Sequence, residues 1–367
     1  MFKTHEILSS KVPLVFTNLL DWECKSWSIE EWKKTLGESN DKYPFRKGCN
    51  KCSEEPIWET NCETSSLTVS EFFENFNKSF EIDNTWLYFD YKHLSTWFSE
   101  VFKDINWSCV GFPERGAEDS TLWIGTEGAH TPCHFDSYGC NIVAQLYGKK
   151  VWLLFDPLES NSLSPTRVPY EESSVYSDIN FACTCHPFPD IKNARCVILQ
   201  PGDILYVPKH WWHYVENVTS AISVNTWIPV ESDTESRVDE SLVKFFVSSV
   251  VKELDGTDVN KILNPNERDL IDFKINQNID ELSWCVEKVK KLKLENKNEV
   301  INIEYLKDFT IPTDSLHNIV KNLRKCKNPK EFKVPDTKTV TVKDLINAFC
   351  HPDVIINVKK NLYKKVE

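Results

Sequence analysis

Two stretches of the chain decide its fold: Gly128–Asp136 reads GAHTPCHFD, and Gly202–His213 reads GDILYVPKHWWH. Residues two apart on a β-strand point to the same face, so His134 and Asp136 can hold one metal ion while His213 reaches it from a neighbouring strand. Two imidazoles and one carboxylate on one face of an octahedron leave three open positions, which indicates a mononuclear non-haem Fe(II) site. Zinc would be served equally well by three ligands and a water.

The residues around these ligands follow two regular spacings. They are Gly128-x5-His134-x-Asp136-x4-Asn141-x6-Gly148 and Gly202-x5-Pro208-x4-His213-x3-Asn217. The glycines supply tight turns, and the proline stands where a strand begins and no ladder donor is needed. The spacings resemble the two halves of the cupin double-stranded β-helix signature. We therefore predict a mainly β fold of this cupin or jelly-roll type with flanking helices, against the alternative of a β-sandwich whose histidines are only packed.

A longer set of residues resembles the JmjC family of 2-oxoglutarate oxygenases. The set comprises Trp123–Gly125, Thr131–Asp136, Asn141, Gln145, Gly148, Lys150, Trp152–Leu153, Pro157, Pro165–Arg167, Pro169–Val175, Pro201–Asp203, Trp211–His213 and Asn225–Trp227. Within the family, the chain is similar to the small group that contains the asparaginyl hydroxylase factor inhibiting HIF, the tRNA wybutosine hydroxylase and heat-shock-protein-associated members. The similarity covers most of residues 1–240 and fades beyond them.

The resemblance implies an enzyme in which oxidative decarboxylation of 2-oxoglutarate by O2 is coupled to hydroxylation of a C–H bond. A protein side chain is the first choice of substrate, because the resemblance is to hydroxylases. Demethylation of N-methyl-lysine and hydroxylation of a tRNA base are the alternative reactions. An interpretation from a different class is a binding protein that uses the fold as a scaffold for a small heat-shock protein.

The resemblance also implies which residues hold the iron and the co-substrate. Fe(II) is expected on His134, Asp136 and His213. 2-Oxoglutarate is expected to contact Thr131, Asn141, Lys150, Asn225 and Tyr88. The hydroxyl of Thr131 and the amide of Asn141 are expected to bond to its carboxylates, and Asn225 is expected near its iron-bound end, since such polar groups are inexpensive to bury only when they are paired.

Lys150 is the candidate for a buried cation on the C5 carboxylate of 2-oxoglutarate. Neighbouring strand residues face opposite ways, so Lys149 would then face outward. The alternation supports one inward lysine without saying which of the two it is. Tyr88 is the candidate hydroxyl on the same carboxylate, and Trp86 and Tyr91 are its near alternatives.

Composition places the chain among globular proteins, because 367 residues with 41% hydrophobic and 12% aromatic side chains can bury a large core. No run approaches eighteen apolar residues, so no segment is predicted to span a membrane. Met1–Pro13 is polar and mixed, so we expect no secretory segment, reduced thiols and a cytoplasmic location, with the nucleus as the alternative.

Two groups of cysteines are candidates for zinc sites. They are Cys49, Cys52 and Cys62, and Cys183, Cys185, His186 and Cys196. Neither group shows a paired four-ligand set with zinc spacing, and unliganded loop or half-buried thiols are the simpler explanation of both groups.

The net charge of −12 argues against a nucleic-acid substrate, because phosphate neutralisation dominates the affinity of nucleic-acid-binding proteins. Lysines cluster only near Lys288–Lys297 and Lys321–Lys338. These clusters are either solvated helix faces or a local patch for RNA or an acidic protein.

The chain divides into three predicted parts: N-terminal helices and strands over residues 1–85, the JmjC core over 86–232, and a helical region over 233–367. In the first part, Ser28 and Glu31 form a capping box at the start of a helix. A second helix is predicted over Thr68–Asn77 with Thr68 or Ser70 as its cap, and residues 38–65 between the two helices are expected to be irregular.

Two further segments carry predictions about surfaces. Residues 156–195 lack periodicity and are expected to form an irregular lid that walls the substrate entrance. Ser241–Lys252 is apolar enough to be a buried helix. Relatives use C-terminal helices to dimerise, so the resemblance implies a homodimer, while a cap on the barrel within one chain explains the same pattern.

Overall fold

The computed structural model describes residues 4–37, 40–49, 53, 55–76, 85–183, 188–292, 304–323 and 339–366. Its strands are β1 (Leu14–Phe16), β2 (Lys42–Cys49), β3 (Glu63–Thr68), β4 (Thr85–His93), β5 (Asn106–Trp107), β6 (Phe112–Gly116), β7 (Ser120–Gly125), β8 (His130–Asp136), β9 (Cys140–Tyr147), β10 (Lys150–Phe155), β11 (Pro165–Glu171), β12 (Ser174–Ser177), β13 (Ala194–Leu199), β14 (Ile204–Val207), β15 (Trp212–Asn217), β16 (Ala221–Ile228) and β17 (Thr313–Asp314).

The helices are α1 (Thr4–Leu8), α2 (Ile29–Leu36), α3 (Val69–Asn75), α4 (Ser99–Phe102), α5 (Asp233–Val251), α6 (Gly256–Ile262), α7 (Ile275–Leu292), α8 (Leu316–Leu323), α9 (Val342–Phe349) and α10 (Pro352–Val366). Within the described residues, no helix combines the length and the apolar character needed to cross a membrane.

Two antiparallel sheets form the body of the molecule. One runs β1-β14-β9-β16-β7-β4-β2-β3 and the other β11-β12-β8-β15-β10-β13-β17. Side chains of β9 and β14 from the first sheet share a core with those of β10 and β15 from the second, so the sheets pack face to face. The predicted mainly β fold with a C-terminal helical region is confirmed.

The start signals predicted for the two N-terminal helices are present. The Ser28 hydroxyl accepts from the amide of Glu31 at 3.3 Å, and the Glu31 carboxylate accepts from the Ser28 amide at 2.6 Å. Thr68 and Glu71 make the same reciprocal pair at the start of α3. Each box satisfies backbone N–H groups that the first turn of a helix leaves unpaired.

Two segments expected to be irregular contain strands, and these predictions were wrong. β2 lies within residues 38–65 and pairs with both β3 and β4 near one end of its sheet. β11 and β12 lie within residues 156–195, and β11 is the terminal strand of the other sheet. The prolines that start and interrupt β11 are tolerated because an edge strand needs fewer ladder donors.

The C-terminal helices pack on this edge. α5, α6 and α9 form an apolar cluster with Val168 and Tyr170 of β11. The segment predicted to be a buried helix, Ser241–Lys252, is the second half of α5 except for its last residue, and Phe246 in it lies 5.0 Å from Phe349, ring centre to ring centre. The apolar face of α5 is therefore covered within one chain.

Candidate metal and co-substrate site

Three side chains that can bind a metal meet between β8 and β15. His134 and His213 are direct partners in the register of these strands. Asp136 follows two residues after His134 on the same face, and its Oδ1 lies 3.7 Å from His134 Nε2. One ligand atom from each residue falls within 4.8 Å of the other two. In the described part of the chain this is the one group of three or more potential metal ligands so close together.

Backbone carbonyls fix the orientation of both imidazoles. His134 Nδ1 lies 2.9 Å from the carbonyl oxygen of Pro132, and His213 Nδ1 lies 3.0 Å from that of Trp211. A carbonyl can only accept, so each Nδ1 carries the proton and donates it. Each Nε2 is left with a lone pair for a metal, which is the usual outer contact of a metal-binding histidine.

An indole fixes the carboxylate in the same way. Trp227 Nε1 donates to Asp136 Oδ2 at 3.0 Å, which leaves Oδ1 on the side of His134. The ring of Trp152 stacks on His213 at 5.6 Å with an interplanar angle of 27°. Side chains around the ligands therefore restrict both their rotation and their access to water.

The imidazole of His134 is held in the neutral form that a metal requires. Its pKa is lowered to about 4, mainly by burial and next by the neighbouring His213, while Asp136 opposes both effects. Because a metal competes with protons for imidazole, a ligand that is neutral at pH 7 binds without first losing a proton.

Lys150 lies buried in a cavity that also contains His134 and His213. Its side chain is 2% exposed, and its Nζ lies 3.5 Å from the hydroxyl of Tyr88. Among the described residues, no carboxylate comes within 4.0 Å of this ammonium. Burial lowers the pKa of Lys150 to about 7, and Asp90 opposes the shift. The structure exposes Lys149, so Lys150 is the inward lysine of the pair.

The other residues assigned to the co-substrate line the same cavity. Tyr88 and Thr131 both lie in this lining. Asn225 donates to the Asn141 oxygen at 2.9 Å and accepts from Trp123 Nε1 at 2.8 Å. Asn225 thus orients the Asn141 side chain, so that the Asn141 amide nitrogen can donate to another acceptor. The structure brings together all five predicted residues, and their roles stay predictions.

The two cysteine groups do not form comparable sites in the described residues. Cys49, Cys62 and Cys196 are half-buried and Cys183 is buried, and none of the four forms a disulfide with a described residue. Cys52, Cys185 and His186 lie outside the described residues, as does most of the two lysine-rich segments.

A larger outer cleft of about 410 Å³ leads to the metal ligands. Its walls include residues that sequence reasoning did not select as site residues, among them Arg46, Glu59, Asp90, Glu171 and Tyr176. Asp90 stands two residues after Tyr88, so the alternation of β4 is a signal that finds it. Arg46 and Glu171 come from the strands that the sequence did not reveal, and no local pattern marks them.

Trp227 lines both the inner cavity and the outer cleft. Its position two residues after Asn225 on β16 is the signal that places it on the cavity face. Segment 165–177 does form a wall of the outer cleft, as expected of residues 156–195, but it does so with strands.

Comparisons with known proteins agree with this arrangement. The cupin-like domain family matches residues 1–233. HSPB1-associated protein 1 of Mus musculus is 39% identical over 290 residues, which are 74% of this chain and 59% of that protein. The HSPB1-associated protein 1 homolog of Danio rerio is 41% identical over 273 residues, 70% of this chain and 60% of that protein. Lysine-specific demethylase JMJ30 of Arabidopsis thaliana is 30% identical over 234 residues, 61% of this chain and 51% of that protein.

The chain spans about 60% of the length of the HSPB1-associated relatives it matches. The family match ends close to the point where the JmjC resemblance was predicted to fade, and that resemblance, including its heat-shock-protein-associated members, is confirmed. Because the match covers both sheets' central strands and all three clustered ligands, the chain belongs to the cupin-like domain family.

Proposed function

We propose that this chain is an Fe(II)- and 2-oxoglutarate-dependent oxygenase that hydroxylates a protein side chain. One observation carries the proposal. A single cavity contains two metal-ready imidazoles and a buried lysine that lacks a carboxylate partner among the described residues. A site for metal alone gives no reason to bury such a cation, whereas a ligand with a metal-chelating end and a free carboxylate explains both features.

The donor set fits Fe(II). His134 and His213 supply neutral nitrogen and Asp136 supplies the anionic oxygen, with the remaining octahedral positions open to a chelating co-substrate and O2. When bound, the iron would supply O2 activation coupled to decarboxylation of 2-oxoglutarate. Zinc fits the same donors, so the choice of Fe(II) over zinc is part of the proposal.

The chain's own residues bind the co-substrate and orient the metal ligands. Lys150 and Tyr88 would pair with the C5 carboxylate, and Thr131 and Asn141 would donate to carboxylate oxygens. Trp227 holds the Asp136 carboxylate at its ligand position, and the ring of Trp152 covers His213. The buried, aromatic surroundings exclude water and strengthen the electrostatic contacts that hold the co-substrate.

Demethylation of N-methyl-lysine is the alternative reaction, and a relative named as a lysine-specific demethylase supports it. It requires the same metal and co-substrate residues and differs only in the carbon that is hydroxylated. Hydroxylation of a tRNA base is the weaker alternative, because the net charge is −12 and the outer cleft contains several carboxylates.

A binding role for a small heat-shock protein is supported by the names of the relatives. The binding role alone does not explain why three potential metal ligands are clustered next to a buried lysine. The two functions are compatible if the partner is also a substrate. A cytoplasmic or nuclear location and a homodimer remain parts of the proposal.

The first test is turnover of 2-oxoglutarate by the purified chain. We expect Fe(II)-dependent release of succinate and CO2, one iron per chain, and loss of both in Asp136→Ala. Asp104→Ala removes an exposed aspartate away from the site and serves as the matched control. Stoichiometric iron after His213→Ala, or turnover with zinc in place of iron, would contradict the assignment. Capture of partners on Asp136→Ala, identified by mass spectrometry, would then name the substrate.

A further inference from the structure

Aromatic rings on both sheets line the outer cleft above the metal ligands. Tyr91 lies 5.7 Å from Trp123 and 5.9 Å from Trp227, and all three come from the larger sheet. Tyr176 of the smaller sheet lies 5.5 Å from Trp58 and 5.7 Å from the His134 ring. A side chain that reaches the metal therefore passes between two sets of rings.

Tyr91 is held in the cleft by an unusual backbone. Its φ is +56°, which is an uncommon conformation for a bulky residue, and its side chain is 46% exposed. The pairing of β4 with β7 shifts between Phe89 and Lys92, so one extra residue is accommodated and both Asp90 and Tyr91 face the cleft. Strain that aims an exposed ring into a site is characteristic of residues that contact ligands.

Three carboxylates stand beside these rings, and among the described residues only one of them has a cation as a close partner. Asp90 is paired with Arg46 at 2.7 Å. Glu171 accepts from the Tyr176 hydroxyl at 2.5 Å and from Asn264, which are both neutral donors. In the described part of the chain, neither Glu59 nor Glu171 has a lysine, arginine or histidine nitrogen within 4.0 Å. Partial desolvation in the cleft wall raises the pKa of Glu59, and the carboxylates of Asp90 and Glu171 raise it further, while the charges of Arg46 and Lys92 oppose the shift.

Apart from Arg46, which pairs with Asp90, the cations that line the outer cleft contact rings. Lys92 Nζ lies 4.8 Å from the centre of the Phe89 ring, on the core side of β4. The Arg237 guanidinium lies 4.8 Å from the Tyr138 ring, where α5 borders the cleft. The corner that contains Glu59 and Glu171 is thus rich in carboxylate and aromatic groups.

We infer that the outer cleft binds a basic side chain of a polypeptide substrate, lysine or arginine, between the two sets of rings. This inference rests on the proposed function, which places the side chain at the metal. Glu59 and Glu171 supply charge-assisted hydrogen bonds, and Tyr91 and Tyr176 supply ring faces to the cation. A nucleic acid is disfavoured, because its phosphates would meet the same carboxylates.

A second cavity favours a polypeptide over a free amino acid. A space of about 530 Å³ continues from the outer cleft, and the two share Arg46, Glu59, Asp90 and Lys92 as lining. It extends past Cys62 to Arg268. A single amino acid leaves this continuation empty, whereas residues flanking the basic one would occupy it.

The test is peptide binding without turnover. The full chain is loaded with Mn(II) and 2-oxoglutarate under nitrogen, and pools of short peptides that differ only in a central Lys, Arg, Gln, Leu or Glu are captured and counted by mass spectrometry. We expect the Lys or the Arg pool to be retained roughly tenfold or more over the Gln pool, as charge-assisted contacts allow. The same pools with N-methylated lysine distinguish a demethylase substrate.

Three variants and a control decide which residues are responsible. Glu171→Gln and Glu59→Gln should each reduce the preference for basic pools, and Tyr91→Ala should weaken all binding of these pools. Glu114→Gln, at an exposed glutamate on β6, should change nothing. Since Glu59 is exposed, its substitution does not threaten folding.

Equal retention of all pools, retention of the Glu pool, or a basic preference that survives both glutamine variants would overturn the inference. Binding is read without turnover. Selective binding of basic peptides without consumption of 2-oxoglutarate would therefore contradict the oxygenase function and leave the binding role of the cleft intact. Consumption of 2-oxoglutarate without selective binding of basic peptides would contradict only the binding role of the cleft.

Discussion

Asp136 is oriented by another side chain, whereas each histidine ligand is oriented by the backbone carbonyl two residues before it in the chain. The backbone contacts survive any side-chain substitution nearby. The contact from Trp227 Nε1 does not, so the carboxylate is the ligand whose geometry a mutation outside the triad can disturb.

Replacing Trp227 by phenylalanine should weaken metal binding. The ring volume is largely kept while the donor to Asp136 Oδ2 is lost, and loss of such an outer contact typically lowers metal affinity by about 10–100-fold. Titration with Fe(II) under nitrogen measures the change. Trp123→Phe is the matched control, because it removes an indole donor in the same cavity that bonds to Asn225 rather than to a ligand. Equal affinity in Trp227→Phe and the unmodified chain would contradict this role.

Binding of 2-oxoglutarate should depend on pH through Lys150. Burial holds the pKa of the free lysine near 7, and a bound carboxylate favours the ammonium. Affinity is then fullest below about pH 7 and falls by roughly tenfold per pH unit above it, until the raised pKa of the complex is reached. Calorimetric titration across this range measures the profile.

Lys150→Met should flatten this pH profile and weaken binding by about two orders of magnitude or more, since breaking a buried pair costs about 3–5 kcal/mol. Metal binding should be spared. Lys149→Met is the control at an exposed neighbour. Weaker binding in Lys149→Met together with unaffected Lys150→Met would show that the wrong face of β10 had been chosen.

The metal-ligand group could be predicted because its geometry is local. Strand alternation relates His134 to Asp136, and glycine turns set where the strands begin. The inward lysine could be narrowed to Lys149 or Lys150 but not chosen between them. Alternation predicts that neighbouring strand residues face opposite sides without saying which of them faces inward. From the sequence, Tyr91 was only an alternative to Tyr88. The bulge that turns Tyr91 into the cleft arises from the pairing of β4 with β7, and no local sequence pattern predicts it.

At the scale of elements, α5 is tied to the metal strand by one buried carboxylate. Glu240 accepts from both terminal nitrogens of Arg167, at 2.9 and 2.6 Å, and from the Ser137 hydroxyl at 2.8 Å. Ser137 directly follows the ligand Asp136, and Arg167 belongs to β11. A helix beyond the family match therefore braces two strands that border the site.

Glu240→Gln should destabilise the chain by about 3–5 kcal/mol, because it leaves the Arg167 charge buried without its partner. Urea unfolding measures the loss. Replacing both residues, as R167M/E240L, should recover much of it, since an apolar pair leaves no uncompensated charge. Asp258→Asn breaks an exposed pair with Lys261 and should change the free energy of unfolding by about 0–1 kcal/mol. A similarly small change in Glu240→Gln would refute the bracing role.

Phe246→Asp should lower thermal stability by several kcal/mol, because it places a charge against the Phe349 ring in a half-buried contact. Ser249→Asp, at an exposed position of the same helix, is the control. Light scattering on the same samples tests the homodimer. A smaller mass for the variant would show that α5 also contributes to a dimer, and an unchanged mass and melting temperature would mean that the contact contributes nothing.

Elements with strong local signals were predictable, and strands at or next to the edges of the sheets were not. The capping boxes at Ser28 and Thr68 locate α2 and α3 to within a residue or two. β2 is polar along much of its length and β11 contains two prolines, so neither shows the alternation of a half-buried strand. Both are held by their neighbours in the sheet, which is a tertiary effect.

Across the whole molecule, the site gathers residues from distant parts of the chain. The lining of the inner cavity runs from Tyr88 to Trp227, and α5 adds Arg237 to the outer cleft. Ligands that bind only this assembled arrangement must stabilise the folded state, because the unfolded chain presents no such site.

Metal and 2-oxoglutarate should therefore raise the melting temperature in two separable steps. A ligand at a hundred times its dissociation constant contributes about 2.7 kcal/mol, enough for a shift of several degrees in a domain of this kind. Asp136→Ala should lose both steps, because the co-substrate chelates the metal, whereas Lys150→Met should keep the metal step and lose most of the second. A chelator should reverse the shifts in the unmodified chain. If Asp136→Ala responded to metal as the unmodified chain does, the stabilising ion would bind elsewhere, and the assignment of His134, Asp136 and His213 would fail with it.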